Sequence, residues 1–331
     1  MLGDIMENKK ILIVFTGGTI SMSSDSQTSK SVISSNESDL ILKIRKRFQN
    51  IELLTLVYSM KPSPSITSVD MLEIGKLIQD KIESDQIDGC VITHGTDTLE
   101  ETAFFLDIFL STRIPVVLTG SMRNFSELGY DGFSNLLSAI LVSANPQSYG
   151  RGTLVVLNDE INAAVEVTKT HTVSLGTFKS MEFGPLGIVD EQEVIYYRDS
   201  SYHRQNLSPV LLTSEVEIVK VYSGSSGHLI DYLISQPTIK GIVLEAMGRG
   251  NIPPIMVPSV IKAINRGVKV VLTSRCPMGR VRDSYGYEGG GHHLKQIGVL
   301  FAGDLSSVKA RIKLMLAVNC ANVNVEDYFE H

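Results

Sequence analysis

Several things are scarce or missing in this 331-residue chain, and each absence removes a class of function. No apolar stretch approaches the length of a bilayer span, so a helical membrane protein is not expected and no membrane partner is implied. Cysteine occurs three times, at Cys90, Cys276 and Cys320. That odd, widely spaced set has no Cys-x-x-Cys and no histidine at ligand spacing, which argues against a disulfide framework and a zinc site. The three read as buried thiols in a reducing compartment. Positive charge is not in excess either: 30 Lys and Arg against 36 Asp and Glu give a formal charge of −6. The basic face that nucleic acid requires is therefore missing. Lys43, Arg45, Lys46 and Arg47 form a short basic run that reads as the solvated side of a helix. The first residues, Met1-Leu2-Gly3-Asp4 followed by Glu7-Asn8-Lys9-Lys10, lack the apolar core and cleavage site of a signal peptide, and a cytoplasmic location is expected.

Familiar catalytic and nucleotide signatures are missing as well. Gly17-Gly18 belongs to neither G-x-G-x-x-G nor a P-loop. Gly224-Ser225-Ser226-Gly227 is one residue short of the G-x-S-x-G elbow, and no strand–elbow–helix context is expected around it. His292 and His293 are adjacent, so on a helix they point about 100° apart and cannot chelate one ion. No metal or other cofactor is implied.

What is present is an ordinary globular composition, 43% hydrophobic and 20% charged, long enough for a large and a small domain. Strands and helices alternate, which predicts an α/β fold with a mainly parallel sheet. The apolar run Ile11 to Phe15 reads as a strand, and the polar tract Ser21 to Ser35 as a mobile loop. A helix follows from about Ser38, with Leu40, Ile44 and Phe48 at i, i+4, i+8. Ile51 to Tyr58 is the next strand, broken by Lys61-Pro62-Ser63-Pro64-Ser65. Thr67-Ser68-Val69-Asp70 has the form of a capping box opening a helix to about Glu83. Further strands are expected at Cys90–Thr93, Pro115–Thr119 and Leu154–Leu157, with helices at Leu99–Leu110 and Gly132–Ala144. A polar stretch over 196–212 reads as a linker between a larger domain, 1–195, and a smaller α/β domain, 213–331. In the latter, strands are expected at Val216–Tyr222, Gly241–Ala246 and Lys269–Thr273, and a helix at Ser306–Val318.

Two matched segments carry the chemistry. Thr16-Gly17-Gly18-Thr19-Ile20 follows the first strand, and Thr93-His94-Gly95-Thr96-Asp97-Thr98 follows another about eighty residues later. In an open α/β sheet the ligand cleft lies outside the carboxyl ends of the strands, so the two turns should face one cleft. One threonine hydroxyl would then attack a small amide while the other belongs to the activating apparatus; the residues alone leave open which is which. Asp97, at a helix start, is either a partner of the helix dipole or the receptor of a substrate ammonium. His94 is either a general base or a residue that shapes its loop. Lys169, in Val167-Thr168-Lys169-Thr170, is a solvated lysine unless an acid beside it makes it the group that tunes a threonine.

Together these segments resemble the bacterial-type L-asparaginases, with closer similarity to the cytoplasmic type I members. The match extends through Val117-Leu118-Thr119-Gly120-Ser121-Met122-Arg123, Asp131-Gly132-Phe133-Ser134-Asn135-Leu136, Thr177-Phe178-Lys179-Ser180 and Tyr287-Glu288-Gly289-Gly290-Gly291, in the expected order over nearly the whole chain. The resemblance implies hydrolysis of L-asparagine to L-aspartate and ammonia without a cofactor, in an intimate dimer or a dimer of dimers. It implies Thr19 as nucleophile, with Thr96, Asp97 and Lys169 as the second threonine and its acid–base partners. It also implies that Ser63 holds the substrate α-carboxylate and Asp97 its α-ammonium. The Ser121 carbonyl would lie near the leaving nitrogen, and the Thr96 N–H would help form the oxyanion hole. Asn251 and Glu288 would be contributed by a neighbouring subunit.

Two departures stand out. The family's loop tyrosine has no counterpart in Ser21 to Ser35, where Lys30, Ser31 and Val32 stand near its place. Pro64 replaces a hydroxyl or amide side chain. Other readings stay open: a glutaminase-type amidohydrolase; an amidotransferase-related subunit, which would carry an additional N-terminal domain not expected before Ile11; and an asparagine-binding member with slow turnover.

Overall fold

The computed structural model describes residues 8–18, 20, 22–24, 31–33, 37–48 and 50–329. The chain divides into two compact units, Met1–Arg204 and Gln205–His331.

The first unit contains, in chain order, β1 (Lys9–Gly17), β2 (Met22–Ser24), β3 (Ser31–Ile33), α1 (Glu37–Arg45), β4 (Ile51–Lys61), α2 (Ser68–Asp85), β5 (Gly89–Thr93), α3 (Leu99–Phe109), β6 (Val116–Thr119) and α4 (Gly132–Ala144). There follow β7 (Thr153–Leu157), β8 (Glu160–Ala163), β9 (Thr168–Lys169), β10 (Phe178–Lys179), β11 (Gly187–Asp190) and β12 (Glu193–Tyr196). Among the described residues these build an eight-stranded sheet of order β12-β11-β8-β7-β6-β5-β1-β4. Strands β4, β1, β5, β6 and β7 run parallel to one another, and β8, β11 and β12 add a flank of antiparallel pairings that begins at β7–β8. The central strands are buried on both faces, as parallel sheets with helical crossovers require. Ile11, Ile13, Phe15, Val91 and Val117 pack with Leu136, Ile140 and Ile44 of α4 and α1. The alternate residues Leu12, Val14, Ile92 and Leu118 are equally buried.

Local chemistry explains the boundaries. Thr67 caps α2 as expected: its hydroxyl accepts the Asp70 N–H, and the Asp70 carboxylate accepts the Thr67 N–H at 2.8 Å. Burial alone would raise the Asp70 carboxyl, but hydrogen bonds from Lys61, Thr67 and Tyr58 outweigh it and hold it down at about 2.

The second unit holds β13 (Glu215–Lys220), α5 (His228–Leu233), β14 (Ile239–Ala246), α6 (Val257–Asn265), β15 (Lys269–Ser274), α7 (Gly291–Gln296), β16 (Leu300–Phe301) and α8 (Ser307–Asn319). Its four strands pair in sequence order, all parallel.

The α/β class and the large-plus-small arrangement are as expected; several details differ. Part of the expected mobile loop is a short antiparallel ladder, β2 with β3, while residues 25–30 lie outside the described set. The antiparallel flank comes from four-residue strands too short to show a period. Of the three thiols only Cys90 is buried; Cys276 is exposed and Cys320 intermediate. Gly224 to Gly227 does lie between a strand and a helix, β13 and α5, and there the Ser225 hydroxyl accepts the Tyr222 N–H at 2.7 Å. No helix among the described residues is long and apolar enough to cross a membrane.

Candidate active site

The order β4-β1-β5 places a topological switch at β1: the chain leaves it for β4 on one side and then returns to β5 on the other. Crevices open at such points, at the carboxyl ends of the strands. Here the exits of β1 and β5 are locked together. Thr16 Oγ1 donates to the Thr93 carbonyl at 2.8 Å, and Ser59 of β4 donates to the Thr16 carbonyl at 2.7 Å. Gly18 has φ +86°, and a Cβ there would lie 2.4 Å from the Gly95 nitrogen. Only glycine fits, because the backbone turn needs a positive φ and the second turn is pressed against it.

Thr19, between Gly18 and Ile20, lies outside the described residues. Its neighbour is tied down: the Tyr130 hydroxyl donates to the Ile20 carbonyl at 2.9 Å. Ser63, just after β4, reaches the second turn. Its Oγ accepts the Asp97 N–H at 3.2 Å, and its carbonyl accepts the Thr98 hydroxyl at 2.9 Å.

Lys169, on the short β9–β10 ladder, meets the same turn. Its Nζ donates to Thr96 Oγ1 at 2.8 Å and to Asp97 Oδ1 at 2.7 Å. Thr96 is buried and the Lys169 side chain is 16% exposed, whereas that of Asp97 is 63% exposed. The lysine therefore bridges a buried hydroxyl and an accessible carboxylate. At the other end of the same residue, Glu100 Oε1 accepts the Lys169 N–H at 3.2 Å and the Thr168 hydroxyl at 3.0 Å.

His94 is fully buried, which resolves the choice between general base and loop former. Its Nδ1 lies 2.8 Å from the Gly95 carbonyl, which can only accept, so Nδ1 carries the proton and Nε2 accepts from the Thr102 hydroxyl at 2.9 Å. Burial lowers its pKa to about 4 against a smaller opposing effect of the Gly95 bond. With both nitrogens engaged and no access to solvent, it shapes the loop.

Ser121 is fully buried after β6, and its hydroxyl has no partner among the described residues. Asp131, just ahead of α4, holds that turn: its two oxygens accept the Met122 and Arg123 N–H groups, each at 3.0 Å. Asn135 donates to the Gly120 carbonyl and to Asp131, both at 2.9 Å.

In the second unit, Asn251 pairs through its backbone with Met247, and its Oδ1 is a buried acceptor without a partner among the described residues. Glu288 is exposed on the neighbouring strap, whose Gly289 carbonyl accepts the Ile252 N–H at 2.9 Å. Thus Ser63, Thr96, Asp97 and Lys169 meet at one turn of the first unit, and Asn251 and Glu288 lie on adjacent segments of the second.

Comparison with known proteins bears on the same two units. Residues 10–202 match the family model of the asparaginase N-terminal domain, and 215–327 match that of the glutaminase/asparaginase C-terminal domain. The chain belongs to the asparaginase family. Among asparaginase relatives, the L-asparaginase of Bacillus licheniformis is 33% identical over 97% of this chain and 99% of its own. A probable L-asparaginase of Deinococcus radiodurans is 40% identical over 78% and 79%. The crystal structure of a probable cytoplasmic L-asparaginase from Campylobacter jejuni superposes with a TM-score of 0.87 at 29% identity, covering 97% of this chain and 98% of that one.

Within this asparaginase, sequence reasoning passed over Glu100, Asp131 and Tyr130. All three stand inside or beside the motif segments. Glu100 reads as one more acid in a first helical turn, and its distant partner, Thr168, is visible only after folding. Asp131 and Asn135, spaced i, i+4 at the start of α4, were the more readable signal.

Proposed function

We propose that this protein hydrolyses the side-chain amide of L-asparagine to L-aspartate and ammonia, with Thr19 as nucleophile. The observation that carries the reading is the Lys169 ammonium held between Thr96 Oγ1 and Asp97 Oδ1 at the carboxyl ends of β1 and β5. In the first step the Thr19 oxygen bonds to the amide carbon, the C–N bond breaks, and the hydroxyl proton leaves with the nitrogen as ammonia. Water then cleaves the β-aspartyl ester, releasing aspartate and restoring the hydroxyl. Thr96, Asp97 and Lys169 act as the acid–base group, and the Thr96 N–H helps hold the oxyanion, a contribution typically of about 3–4 kcal/mol per donor. Ser63 takes the α-carboxylate and Asp97 the α-ammonium; the accessibility of Asp97 suits that task. The Ser121 carbonyl receives the leaving nitrogen. No cofactor enters the scheme.

The reading includes a homo-oligomer, an intimate dimer or a dimer of dimers, in which Asn251 and Glu288 complete a neighbour's site. The buried Asn251 Oδ1, without a partner among the described residues, supports this; a dilute, monomeric sample with full activity would contradict it. A cytoplasmic location accords with the name of the Campylobacter jejuni neighbour, although a Haemophilus influenzae relative is named as periplasmic. We place the division between catalytic and smaller domains within 196–212.

Asparagine and glutamine differ by one methylene, worth only about 1–3 kcal/mol to a pocket. A relative from Acinetobacter glutaminasificans is named glutaminase-asparaginase. Ammonia release should therefore be measured on L-asparagine, L-glutamine and D-asparagine together. The expected order of kcat/KM puts L-asparagine first. Binding of L-asparagine without ammonia release would overturn the reading in favour of a binding protein, and faster release from L-glutamine in favour of a glutaminase.

A further inference from the structure

Lys169 is a long, flexible side chain on a two-residue strand that, among the described residues, pairs only with β10, in a ladder separate from the eight-stranded sheet. Sheet pairing therefore does not fix its distance from Thr96. Something else must, because an ammonium on a four-carbon stem reaches an exposed carboxylate such as Asp97 from many backbone positions, but a buried hydroxyl from few.

Glu100, on α3, touches β9 directly. It stands in the first turn of α3, a helix whose chain enters directly from Thr96 and Asp97. Its Oε1 accepts both the Lys169 N–H and the Thr168 hydroxyl. The lysine is thus held at both ends by a single short stretch of chain: Glu100 takes its backbone, and Thr96 with Asp97 take its ammonium. The second oxygen, Oε2, is buried with no partner among the described residues. A half-buried carboxylate with one oxygen shut away from solvent and the other spent on two donors of β9 suits a clamp better than a solubilising surface acid.

We propose that Glu100 is a positioning residue for Lys169: it sets the β9 backbone against the Thr96-Asp97 turn so that the lysine ammonium meets the Thr96 hydroxyl. The inference rests on the proposed role of Lys169 in turnover. Displacing a reacting group by about 1 Å can cost on the order of 100-fold in rate, and this is the scale of the expected effect.

The test is ammonia release from L-asparagine by the full-length protein carrying Glu100→Ala, Glu100→Gln, Lys169→Ala and the double variant Glu100→Ala/Lys169→Ala. Glu100→Ala should lower kcat by about 100-fold with KM changed by less than about threefold. Glu100→Gln, whose carbonyl can replace Oε1, should recover most of that loss even if its amide, placed where Oε2 is buried, lowers the melting temperature. On the Lys169→Ala background, Glu100→Ala should cause no further loss, since a residue acting through another is non-additive with it. An additive further loss in the double variant would overturn the proposal, as would an unchanged kcat in Glu100→Ala or a Gln variant as slow as the Ala variant. If Glu100→Ala does not fold, Thr168→Val removes one of the two clamping bonds; it should slow kcat on the wild-type background and leave it unchanged on Lys169→Ala. The same fold-loss on both backgrounds, or none on the wild type, would overturn it. Wild-type turnover in Lys169→Ala alone would instead sink the assignment of Lys169, a result visible without any Glu100 variant.

Discussion

His94 has no solvent access and both ring nitrogens occupied, and its folded pKa of about 4 lies below the ordinary value of 6.5. The folded protein therefore binds fewer protons than the unfolded chain between those values. Stability from this residue is complete above pH 6.5 and is lost as the pH falls toward 4. The loss by pH 5 should be about 2 kcal/mol. Urea midpoints at pH 7 and pH 5 check this: the wild type should lose midpoint over that interval, and His94→Asn, though weaker at pH 7, should lose much less. A wild-type midpoint unchanged from pH 7 to 5 would contradict the account. At this scale the sequence carried residue types better than roles. A histidine, an aspartate and a lysine in the right motifs were all readable, but burial separates His94, a loop former, from Lys169, which reaches a hydroxyl and a carboxylate across more than seventy residues of chain.

At the scale of elements, the exit turns of β1 and β5 depend on each other. Gly18 sits against the Gly95 backbone at positive φ, and Ser63 reaches across from the end of β4. Gly18→Ala adds an unfavourable φ, about 1–2 kcal/mol, to a clash that only backbone movement can relieve. It should lower the melting temperature and abolish ammonia release, while the far-UV spectrum keeps its α/β shape. Normal activity in that variant would mean the two turns are not in contact. The parallel strands β1, β5 and β6 were legible because continuous apolar runs end in Thr or Gly, and β7 because its run ends at Asn158-Asp159. The antiparallel flank and the β9–β10 ladder were not, since two- to four-residue strands show no period and their pairing depends on partners distant in sequence. The tract after Thr19 was read as loop because it is polar, yet β2 and β3 pair within it. Outside that tract, Tyr130 supplies a hydroxyl to the Ile20 carbonyl from the segment before α4.

At the scale of the whole molecule, the first unit binds the proposed chemistry to one sheet, whose order reverses direction at the strand that carries the Thr16-Gly17-Gly18-Thr19 turn. The four-stranded second unit carries Asn251 and Glu288 on adjoining segments. Membership of the asparaginase family rests on matches to both units, and the substrate assignment is the step that chemistry must test. The most direct measurement is rapid acid quenching of the enzyme during L-asparagine turnover, followed by peptide mass analysis. The account predicts an aspartyl adduct on the peptide that contains Thr19, lost in Thr19→Ala together with ammonia release. An adduct on the Thr96 peptide, with turnover surviving in Thr19→Ala, would contradict it.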